Sequence, residues 1–317
     1  MNDAGAAAKP ELLVAVTIPP AHLALLQESF AVCYAPKPAE REEALKTFGG
    51  QARAVLTNGS TGWSEAAMSA MPRLEIICAM GAGYENIDIA AARGRGIRLS
   101  HGPSTNDACV ADHAMGLLLA VVRGIPEADR RVRQGDWPRE TFQPLVSGKT
   151  LGILGLGNIG RQIARRAGGF DMKVVYHSRR PRPNVAWEYA ASAVELAARS
   201  DFLIVACPGG KSTYHLVDKA VLDALGPEGF VVNIARGSVV DTAALIEALE
   251  DRRIAGAGLD TVEGEPVIPE KLRGLAKVVL TPHIAGRSPE TSRAMIELAA
   301  SNLSAHFAGQ PLLTPIP

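Results

Sequence analysis

The chain has 317 residues, enough for two domains of ordinary size, either of which would bury a substantial core. Its 33 basic and 33 acidic residues cancel, and its hydrophobic content of 47% is ordinary for a globular protein. The balanced charge argues against nucleic-acid binding, since proteins of that class carry a basic excess or stripe.

The sequence predicts no membrane span, secretion signal or metal site. The longest apolar run, GLLLAVV (116–122), is far shorter than the roughly 18–20 residues that cross a bilayer. Residues 1–10 lack the basic flank and apolar stretch of a signal peptide, so we expect a frayed tail there. The four cysteines show no ligand spacing and the seven histidines form no HxxxH pair, so we expect reduced core thiols in a cytoplasmic protein. The cysteines are Cys33, Cys78, Cys109 and Cys207.

Short apolar runs alternate with helical patterns along the chain, and we predict each run to be a buried strand. The first set comprises LLVAVTI (12–18), RAVLT (53–57) and LEIICAM (74–80). A long helical region, 106–135, follows and is interrupted at Pro126. The second set comprises TLGILG (150–155), KVVYH (173–177), FLIVAC (202–207), FVVNIA (230–235), GAGLD (256–260) and KVVLTP (277–282).

The last segment, 288–313, has apolar residues at helical spacing and is stopped by Gly309 and Pro311. Strands buried on both faces and separated by helices are typical of parallel sheets with crossover helices. We therefore predict an α/β protein with two doubly wound parallel-sheet domains, and we expect the functional site in the cleft between them.

A glycine-rich turn stands directly after the strand TLGILG and directly before an Arg/Ala-rich helix. In this Gly155-x-Gly157-x-x-Gly160 pattern, the glycines permit a tight turn, close approach of a pyrophosphate and close packing of helix on strand. Asn158 and Ile159 begin the helix, whose free N–H groups and dipole would face the anion. The pattern favours dinucleotide binding; a purely structural turn or a methyltransferase loop remains an alternative.

The end of the next strand, about 20 residues further on, is where a dinucleotide-binding chain reads the adenosine ribose. This chain has His177, Ser178, Arg179 and Arg180 there, and no carboxylate. A hydroxyl and a guanidinium donate to phosphate oxygens, so the sequence predicts a preference for NADP(H) over NAD(H). The alternative is a solvated basic loop, and Arg180 and Arg182 are compatible with either interpretation.

Three later strands end in ionisable residues. Arg236 follows FVVNIA, Asp260 and then Glu265 follow GAGL, and His283 follows KVVLTP. Because the carboxyl ends of parallel strands share one edge of a sheet, these residues should converge on the cofactor. An arginine to hold a carboxylate, a histidine to supply a proton and a glutamate to orient the histidine suit reduction of a 2-oxo acid.

The chain resembles the D-isomer-specific 2-hydroxyacid dehydrogenase family from about residue 12 to the C-terminus. The motifs that match are GILGLGNIGRQIA, NIARGSVVD, AGAGLDTVEGEP and LTPHIAG. The resemblance implies that Arg236, Glu265 and His283 are the catalytic trio, and that Asp260 contacts the nicotinamide carboxamide. It also implies that the main chain of Ala82 and Gly83, within AMGAGYENID, holds the substrate carboxylate. Cofactor contacts are implied for the glycine loop and for Cys207, Pro208, Ile234, Ala235 and Gly286.

The family further implies a Rossmann cofactor domain, 103–286, inserted into a flavodoxin-like substrate domain formed by 1–102 and 287–317. A homodimer is implied as well, with the helices after residue 106 at its interface and Trp137 reaching toward the partner's site. Within the family, the chain resembles glyoxylate/hydroxypyruvate and hydroxyphenylpyruvate reductases. They often have an SVG loop where this chain has AMGAGYENID.

The leading hypothesis is therefore NADPH-dependent reduction of glyoxylate, hydroxypyruvate or an aryl pyruvate to the D-2-hydroxy acid, with NADH as a weaker cofactor. One alternative is oxidation of phosphite or formate on the same scaffold. Another is a non-catalytic dinucleotide sensor that binds a protein partner. Asn58 and Tyr84 are candidates for selecting the substrate side chain.

Overall fold

A computed structural model describes residues 8–317. The chain divides into two compact units: one ends at Asn106 and resumes with Ser288–Pro317, and the other is Asp107–Arg287. The boundaries predicted at 102/103 and 286/287 lie beside these divisions. Of the frayed tail predicted for residues 1–10, residues 1–7 lie outside the part that the structure describes.

Within residues 8–317, the first unit is built on a parallel sheet of five strands in the order β2-β1-β3-β4-β5. This is the flavodoxin-like order of a doubly wound sheet. The strands are β1 (Glu11–Val14), β2 (Ala31–Tyr34), β3 (Ala54–Asn58), β4 (Ile76–Met80) and β5 (Arg98–Ser100). The helices of this unit, numbered along the whole chain, are α1 (Pro20–Ser29), α2 (Pro38–Thr47), α3 (Glu65–Ser69), α4 (Ile89–Gly94) and α12 (Pro289–Phe307).

Successive side chains of the central strands enter opposite cores, because neighbouring residues of a strand face opposite ways. Leu13 packs on one face of the sheet, whereas Leu12 packs on the other, together with Ile296 and Leu303 of α12. Covering one face of this sheet therefore requires the C-terminal helix, which explains why the last segment of the chain belongs to the first unit.

The second unit is a parallel sheet whose seven strands, counted within the described residues, have the order β12-β11-β10-β9-β6-β7-β8. Read outward from β6, this is the Rossmann order with one further strand. The strands are β6 (Thr150–Leu154), β7 (Lys173–His177), β8 (Glu188–Tyr189), β9 (Phe202–Val205), β10 (Phe230–Asn233), β11 (Gly256–Leu259) and β12 (Val278–Leu280). The helices are α5 (Asp107–Val122), α6 (Ile125–Arg133), α7 (Asn158–Ala167), α8 (Ala193–Ala198), α9 (Lys219–Leu225), α10 (Thr242–Glu250) and α11 (Glu270–Gly274).

Two doubly wound parallel sheets confirm the predicted fold class. Every run that we predicted as a strand forms one, but β1 ends at Val14 and does not reach Ile18. The strands β2, β5 and β8 were not predicted. They are short and lie at or next to the edges of their sheets, so their sequences lack a long apolar run.

The long helical region is broken at Gly124, and the prediction of a break at Pro126 was wrong. Gly124 has a φ of 62°, a left-handed conformation that glycine adopts readily, and it separates α5 from α6. Pro126 lies in the first turn of α6, where a missing N–H costs no helical hydrogen bond. In the described part of the chain, no helix taken singly has the length and apolar character to cross a membrane; α5 and α6 reach them only as a pair, bent by 61°.

Candidate functional site

The parallel strands of the second unit bring their carboxyl ends to one edge of the sheet. The loop after β6 is followed in the sheet by the loops after β9, β10, β11 and β12 on one side and by the loop after β7 on the other. These loops carry the predicted residues Gly155, Gly157, Asn158, Ile159, Gly160, His177, Ser178, Arg179, Arg180, Cys207, Pro208, Ile234, Ala235, Arg236, Asp260, Glu265, His283 and Gly286. The predicted cofactor and acid–base residues thus share one edge of one unit.

The three glycines of the turn after β6 have different structural reasons to be glycine. Gly155 has a φ of 107°, and a Cβ there would lie 2.6 Å from the backbone nitrogen of Cys207. A Cβ on Gly160 would overlap the carbonyl oxygen of Gly155, so α7 can pack against the turn only without one. A Cβ on Gly157 would meet no protein atom within 4 Å. The space beside Gly157 at the start of α7, where no side chain caps the helix, fits a pyrophosphate held by backbone N–H groups.

The loop after β7 is held in place by contacts with the end of β8, and its cationic side chains are exposed. His177 Nδ1 lies 2.8 Å from the carbonyl oxygen of Ala190, and its ring stacks on Tyr189 at a centroid distance of 6.0 Å. Ser178 Oγ donates to the carbonyl oxygen of Arg180 at 2.7 Å. Arg180 and its neighbour Arg179 are exposed, and neither guanidinium forms an ion pair with another described residue. This strand end is therefore cationic and carries no carboxylate.

A buried asparagine shapes the turn that presents Arg236. Asn233 Oδ1 accepts a hydrogen bond of 3.0 Å from the N–H of Ala235, and its Nδ2 donates to the carbonyl oxygens of Arg236 (3.1 Å) and Thr261 (3.3 Å). The guanidinium of Arg236 donates from Nη1 to the carbonyl oxygen of Ala235 at 2.8 Å. Asn233 begins the motif NIARGSVVD, but we did not predict a role for it, because its contacts to Thr261 depend on the neighbouring strand β11.

Cys207, in the loop after β9, has a thiol that is not ionised near neutral pH. Burial raises the pKa of Cys207 to about 11, so its sulfur stays protonated near neutral pH. Pro208 and Gly209 follow, and a Cβ on Gly209 would lie 2.7 Å from Cγ of Arg236. The loop after β9 thus leaves room for the Arg236 side chain.

Asp260 is 2% exposed and organises the loop after β12 from within. Its Oδ1 accepts from Thr281 Oγ1 at 2.6 Å and from the N–H of Ile284 at 2.9 Å, and its Oδ2 accepts from the N–H of Ala285 at 2.9 Å. His113 of α5 completes the cluster, since its Nε2 lies 2.9 Å from Thr281 Oγ1. Because that hydroxyl donates to Asp260, it accepts from His113. Neither residue was predicted: Thr281 lies within the motif LTPHIAG but was not singled out, and His113 belongs to no motif that we identified.

His283 and Glu265 form a dyad between neighbouring loops. Nδ1 of His283 lies 2.5 Å from Oε1 of Glu265, and the N–H of His283 donates to the carbonyl oxygen of Asp260 at 2.8 Å. His283 has a φ of 54°, and Nε2 of its ring has no partner among residues 8–317. With Nδ1 engaged by a carboxylate, Nε2 is the nitrogen available to exchange a proton with another molecule.

The pKa of Glu265 lies below its ordinary value. Burial, the largest single influence, raises it, but the hydrogen bond and charge of His283 lower it, as do the N–H of Val262 and the charge of Arg236. Together, the influences that lower the pKa outweigh burial, so the carboxylate of Glu265 is ionised near neutral pH.

In the first unit, the loop after β4 holds the other predicted ligands. Gly81 has a φ of 81°, and its carbonyl oxygen accepts from the N–H of Gly102 at 2.7 Å. Among residues 8–317, the N–H groups of Ala82 and Gly83 donate to no protein acceptor. The carbonyl oxygen of Ala82 faces His101, whose Nδ1 lies 3.1 Å away. Two adjacent unengaged N–H groups can bind a carboxylate.

Comparison with known proteins agrees with this geometry. Residues 115–285 match the family described as D-isomer specific 2-hydroxyacid dehydrogenase, NAD binding domain. The chain is 44% identical to the glyoxylate/hydroxypyruvate reductase A HPR2 of Arabidopsis thaliana, over 87% of this chain and 89% of that protein. It is 45% identical to the hydroxyphenylpyruvate reductase of Plectranthus scutellarioides, over 83% and 85%.

Among solved structures, the chain is similar to the NADPH-dependent glyoxylate/hydroxypyruvate reductase of Sinorhizobium meliloti in complex with NADP and malonate. The TM-score is 0.90 at 40% identity, and the match covers 98% of this chain and 97% of that one. The chain belongs to the D-isomer specific 2-hydroxyacid dehydrogenase family. It is an oxidoreductase with an NAD-binding domain, and its named relatives are reductases of 2-oxo acids.

Proposed function

We propose that the protein reduces a small 2-oxo acid (glyoxylate, hydroxypyruvate or an aryl pyruvate) to the D-2-hydroxy acid with NADPH. The observation that carries the proposal is the dyad of His283 and Glu265, which stands at the same sheet edge as the glycine turn. An imidazole fixed through Nδ1 and available at Nε2 is suited to give a proton to a carbonyl oxygen. The names of the relatives support the substrate class.

The two units divide the work in this proposal. The unit containing the glycine turn, predicted as 103–286, binds the cofactor, and the discontinuous unit, predicted as 1–102 with 287–317, binds the substrate. Support comes from the Rossmann strand order of the former and from the pair of unengaged N–H groups at Ala82 and Gly83 in the latter.

The cofactor would be held along the carboxyl edge of the second sheet. The N–H groups at the start of α7 bind the pyrophosphate, while Ser178, Arg179 and Arg180 bind a phosphate on the adenosine ribose. Cys207 and Pro208 border the adenosine half, and Asp260 lies toward the nicotinamide. Bound NADPH supplies the hydride that the carbonyl carbon receives.

Each remaining requirement of the reaction falls to a residue of this chain. Arg236 binds the substrate carboxylate and polarises the carbonyl. His283 gives the proton on Nε2 to the carbonyl oxygen as the carbonyl carbon is reduced. Glu265 keeps Nδ1 protonated and oriented and stabilises the charged ring before the transfer.

Initial-rate kinetics on glyoxylate, hydroxypyruvate and phenylpyruvate, each with NADPH and NADH, test the proposal. We expect turnover on at least one oxo acid, a D-configured product and a preference for NADPH. Turnover on phosphite or formate with NAD instead would favour the first alternative. Cofactor binding in a thermal-shift assay without turnover on a broad panel of oxo acids would favour a dinucleotide sensor.

We also propose a homodimer built on the segment from α6 onward. Several large apolar side chains there are exposed, among them Phe142 (94%) and Trp137 (69%). Exposed apolar side chains grouped in one stretch of a folded protein are typical of an interface. The other members of this group are Ile125, Val132 and Leu145.

Light scattering coupled to size-exclusion chromatography tests the dimer. Phe142→Glu should raise the monomer fraction at micromolar concentration, whereas Val194→Glu, a change at another exposed apolar side chain on α8, should leave the dimer intact. A monomeric wild-type protein would overturn the proposal.

A cytoplasmic location, where thiols stay reduced, is also proposed. Burial raises the pKa of Cys78 and of Cys207 to about 11, so neither is a thiolate near neutral pH. Thiol titration of freshly isolated, unfolded protein should find four free thiols. A disulfide at this stage would contradict the proposal.

A further inference from the structure

The carbonyl oxygen of Ala82 is held by a histidine side chain. His101 follows β5, and its Nδ1 lies 3.1 Å from that oxygen. A carbonyl oxygen can only accept, so Nδ1 of His101 carries the proton of this hydrogen bond. The peptide bond to which the oxygen belongs also contains the N–H of Gly83, one of the two groups assigned to the substrate carboxylate.

We propose that His101 is a positioning residue for the substrate carboxylate and acts through the peptide bond between Ala82 and Gly83. This inference rests on the proposed function. The peptide is trans, so its oxygen and its N–H point to opposite sides. Holding the oxygen on the side of His101 therefore directs the N–H of Gly83 to the other side. The hydrogen bond also polarises the peptide and makes its N–H a stronger donor.

Such a restraint is needed because this peptide joins Ala82 to a glycine, Gly83, which has no Cβ. The turn before it is also formed by a glycine, since Gly81 has a φ of 81°. A peptide beside glycine rotates at a lower cost than one between substituted residues. Without the bond from His101, the N–H of Gly83 would sample several directions, and the loop would bind a carboxylate less tightly.

His101 is itself fixed by the C-terminal segment of the same unit. Its N–H donates to the carbonyl oxygen of Thr314 at 3.1 Å, and Thr314 Oγ1 donates to the carbonyl oxygen of His101 at 2.5 Å. The buried Asn302 of α12 binds Thr314 through both side-chain atoms, at 2.9 Å and 3.1 Å. The ring of Tyr84 meets the imidazole edge-on at 5.1 Å. The position of the imidazole is thus determined by α12, the C-terminal segment and Tyr84.

The experiment compares His101→Asn with His101→Leu in the full-length enzyme. In asparagine, Nδ2 is bonded to Cγ as Nδ1 is in histidine, so Asn can keep the donor, whereas Leu has a methyl group there. Because the carboxylate is bound alike in the ground and transition states, the loss should appear in KM and hardly in kcat. For Leu, we expect the KM for the oxo acid and the calorimetric Kd for malonate to rise about ten-fold.

His101→Asn should remain within about two-fold of the wild type in both constants, as should His22→Ala, a change at a histidine on α1 of the same unit. The KM for NADPH should be unchanged in all three variants. Equal malonate affinity in the Leu variant and the wild type would overturn the inference, even if the enzyme reduces oxo acids. So would an equal loss in the Asn and Leu variants, or a parallel rise in the KM for NADPH.

The failure of the proposed function gives a different result. Absence of turnover by the wild type on every oxo acid would overturn that function, while malonate binding would still test the role of His101. A wild-type protein that neither turns over nor binds malonate would overturn both.

Discussion

Nδ1 of His283 lies 2.5 Å from Oε1 of Glu265, and the two residues follow the neighbouring strands β12 and β11. The carboxylate occupies one ring nitrogen and leaves the other for proton transfer. We expect His283→Ala to lower kcat by roughly 10²–10⁴-fold, because proton transfer by a positioned side chain contributes about that much. Binding of NADPH, measured by fluorescence titration, should change little. A kcat equal to that of the wild type would remove His283 from the role of proton donor.

The stability of the fold at acid pH should depend on the ionisation of the Glu265 carboxyl group. Burial raises its pKa, but the influences of His283, Val262 and Arg236 leave it below the unfolded value of about 4.3. A carboxyl with a lowered pKa stabilises the fold above its unfolded pKa, and this contribution is lost as the pH falls through the folded value. The stability advantage of the wild type over Glu265→Gln should therefore shrink as the pH falls below roughly 5. Urea denaturation at stepped pH measures it; a difference independent of pH would contradict the expectation.

Arg179 should decide the choice between the two nicotinamide cofactors. A charge-assisted hydrogen bond to a phosphate contributes more than a neutral one, so Arg179→Ala should lower kcat/KM with NADPH by about ten- to hundred-fold. With NADH, kcat/KM should stay within about two-fold, since NADH lacks that phosphate. Arg182→Ala is the matched control, because within residues 8–317 Arg182 forms a hydrogen bond through its backbone N–H, to Tyr176 Oη, and none through its guanidinium. Equal losses with both cofactors would make Arg179 an ordinary surface residue.

Gly157 and Gly160 should fail in different ways when changed to alanine. A Cβ on Gly157 would have no atom of residues 8–317 within 4 Å, so Gly157→Ala should fold normally and lose affinity for NADPH. A Cβ on Gly160 overlaps the backbone of Gly155, so Gly160→Ala should lower the melting temperature of the protein without cofactor. Thermal unfolding with and without NADPH separates the two effects. Similar melting temperatures for both variants would contradict the distinction.

Gly209 should matter because of the space it leaves for Arg236. A Cβ on Gly209 would lie 2.7 Å from Cγ and 3.2 Å from Cβ of Arg236, so Gly209→Ala must displace that side chain. We expect kcat/KM for the oxo acid to fall roughly ten- to hundred-fold, as a small misplacement of a substrate-binding group does. Gly168→Ala is the control, since Gly168 has a helical φ of −59° and open space around its Cα. Equal kinetics in the two variants would show that Arg236 adapts.

The sequence predicts the central strands well because their apolar runs are buried on both faces. The run in β10, for example, is entirely buried, and its pattern identifies it without knowledge of its neighbours. The edge strand β2 has exposed and half-buried residues, and β8 has only two residues, so neither carries such a pattern. We predicted the break at Pro126 instead of Gly124 because proline disrupts the interior of a helix. In the first turn of a helix, however, proline is tolerated well.

The candidate site was predictable where a residue ends a strand. Arg236, Glu265 and His283 lie in such loops, and the parallel arrangement brings them to one edge. By contrast, His113 contacts Thr281 from a helix, and His101 contacts Ala82 from the loop after another strand. Such contacts depend on how helices and strands pack against one another, so they cannot be predicted from residue spacing in the sequence.

The carboxylate of Asp260 has a consequence for how this enzyme can be altered. Its hydrogen bonds to Thr281, Ile284 and Ala285 secure the segment bearing the imidazole from a place that solvent does not reach. Replacing other exposed side chains of the loop after β12 should therefore leave the position of His283 unchanged. Substitutions that aim at a different substrate can therefore be made at exposed positions of this loop, provided that the buried Asp260 and its hydrogen bonds are kept.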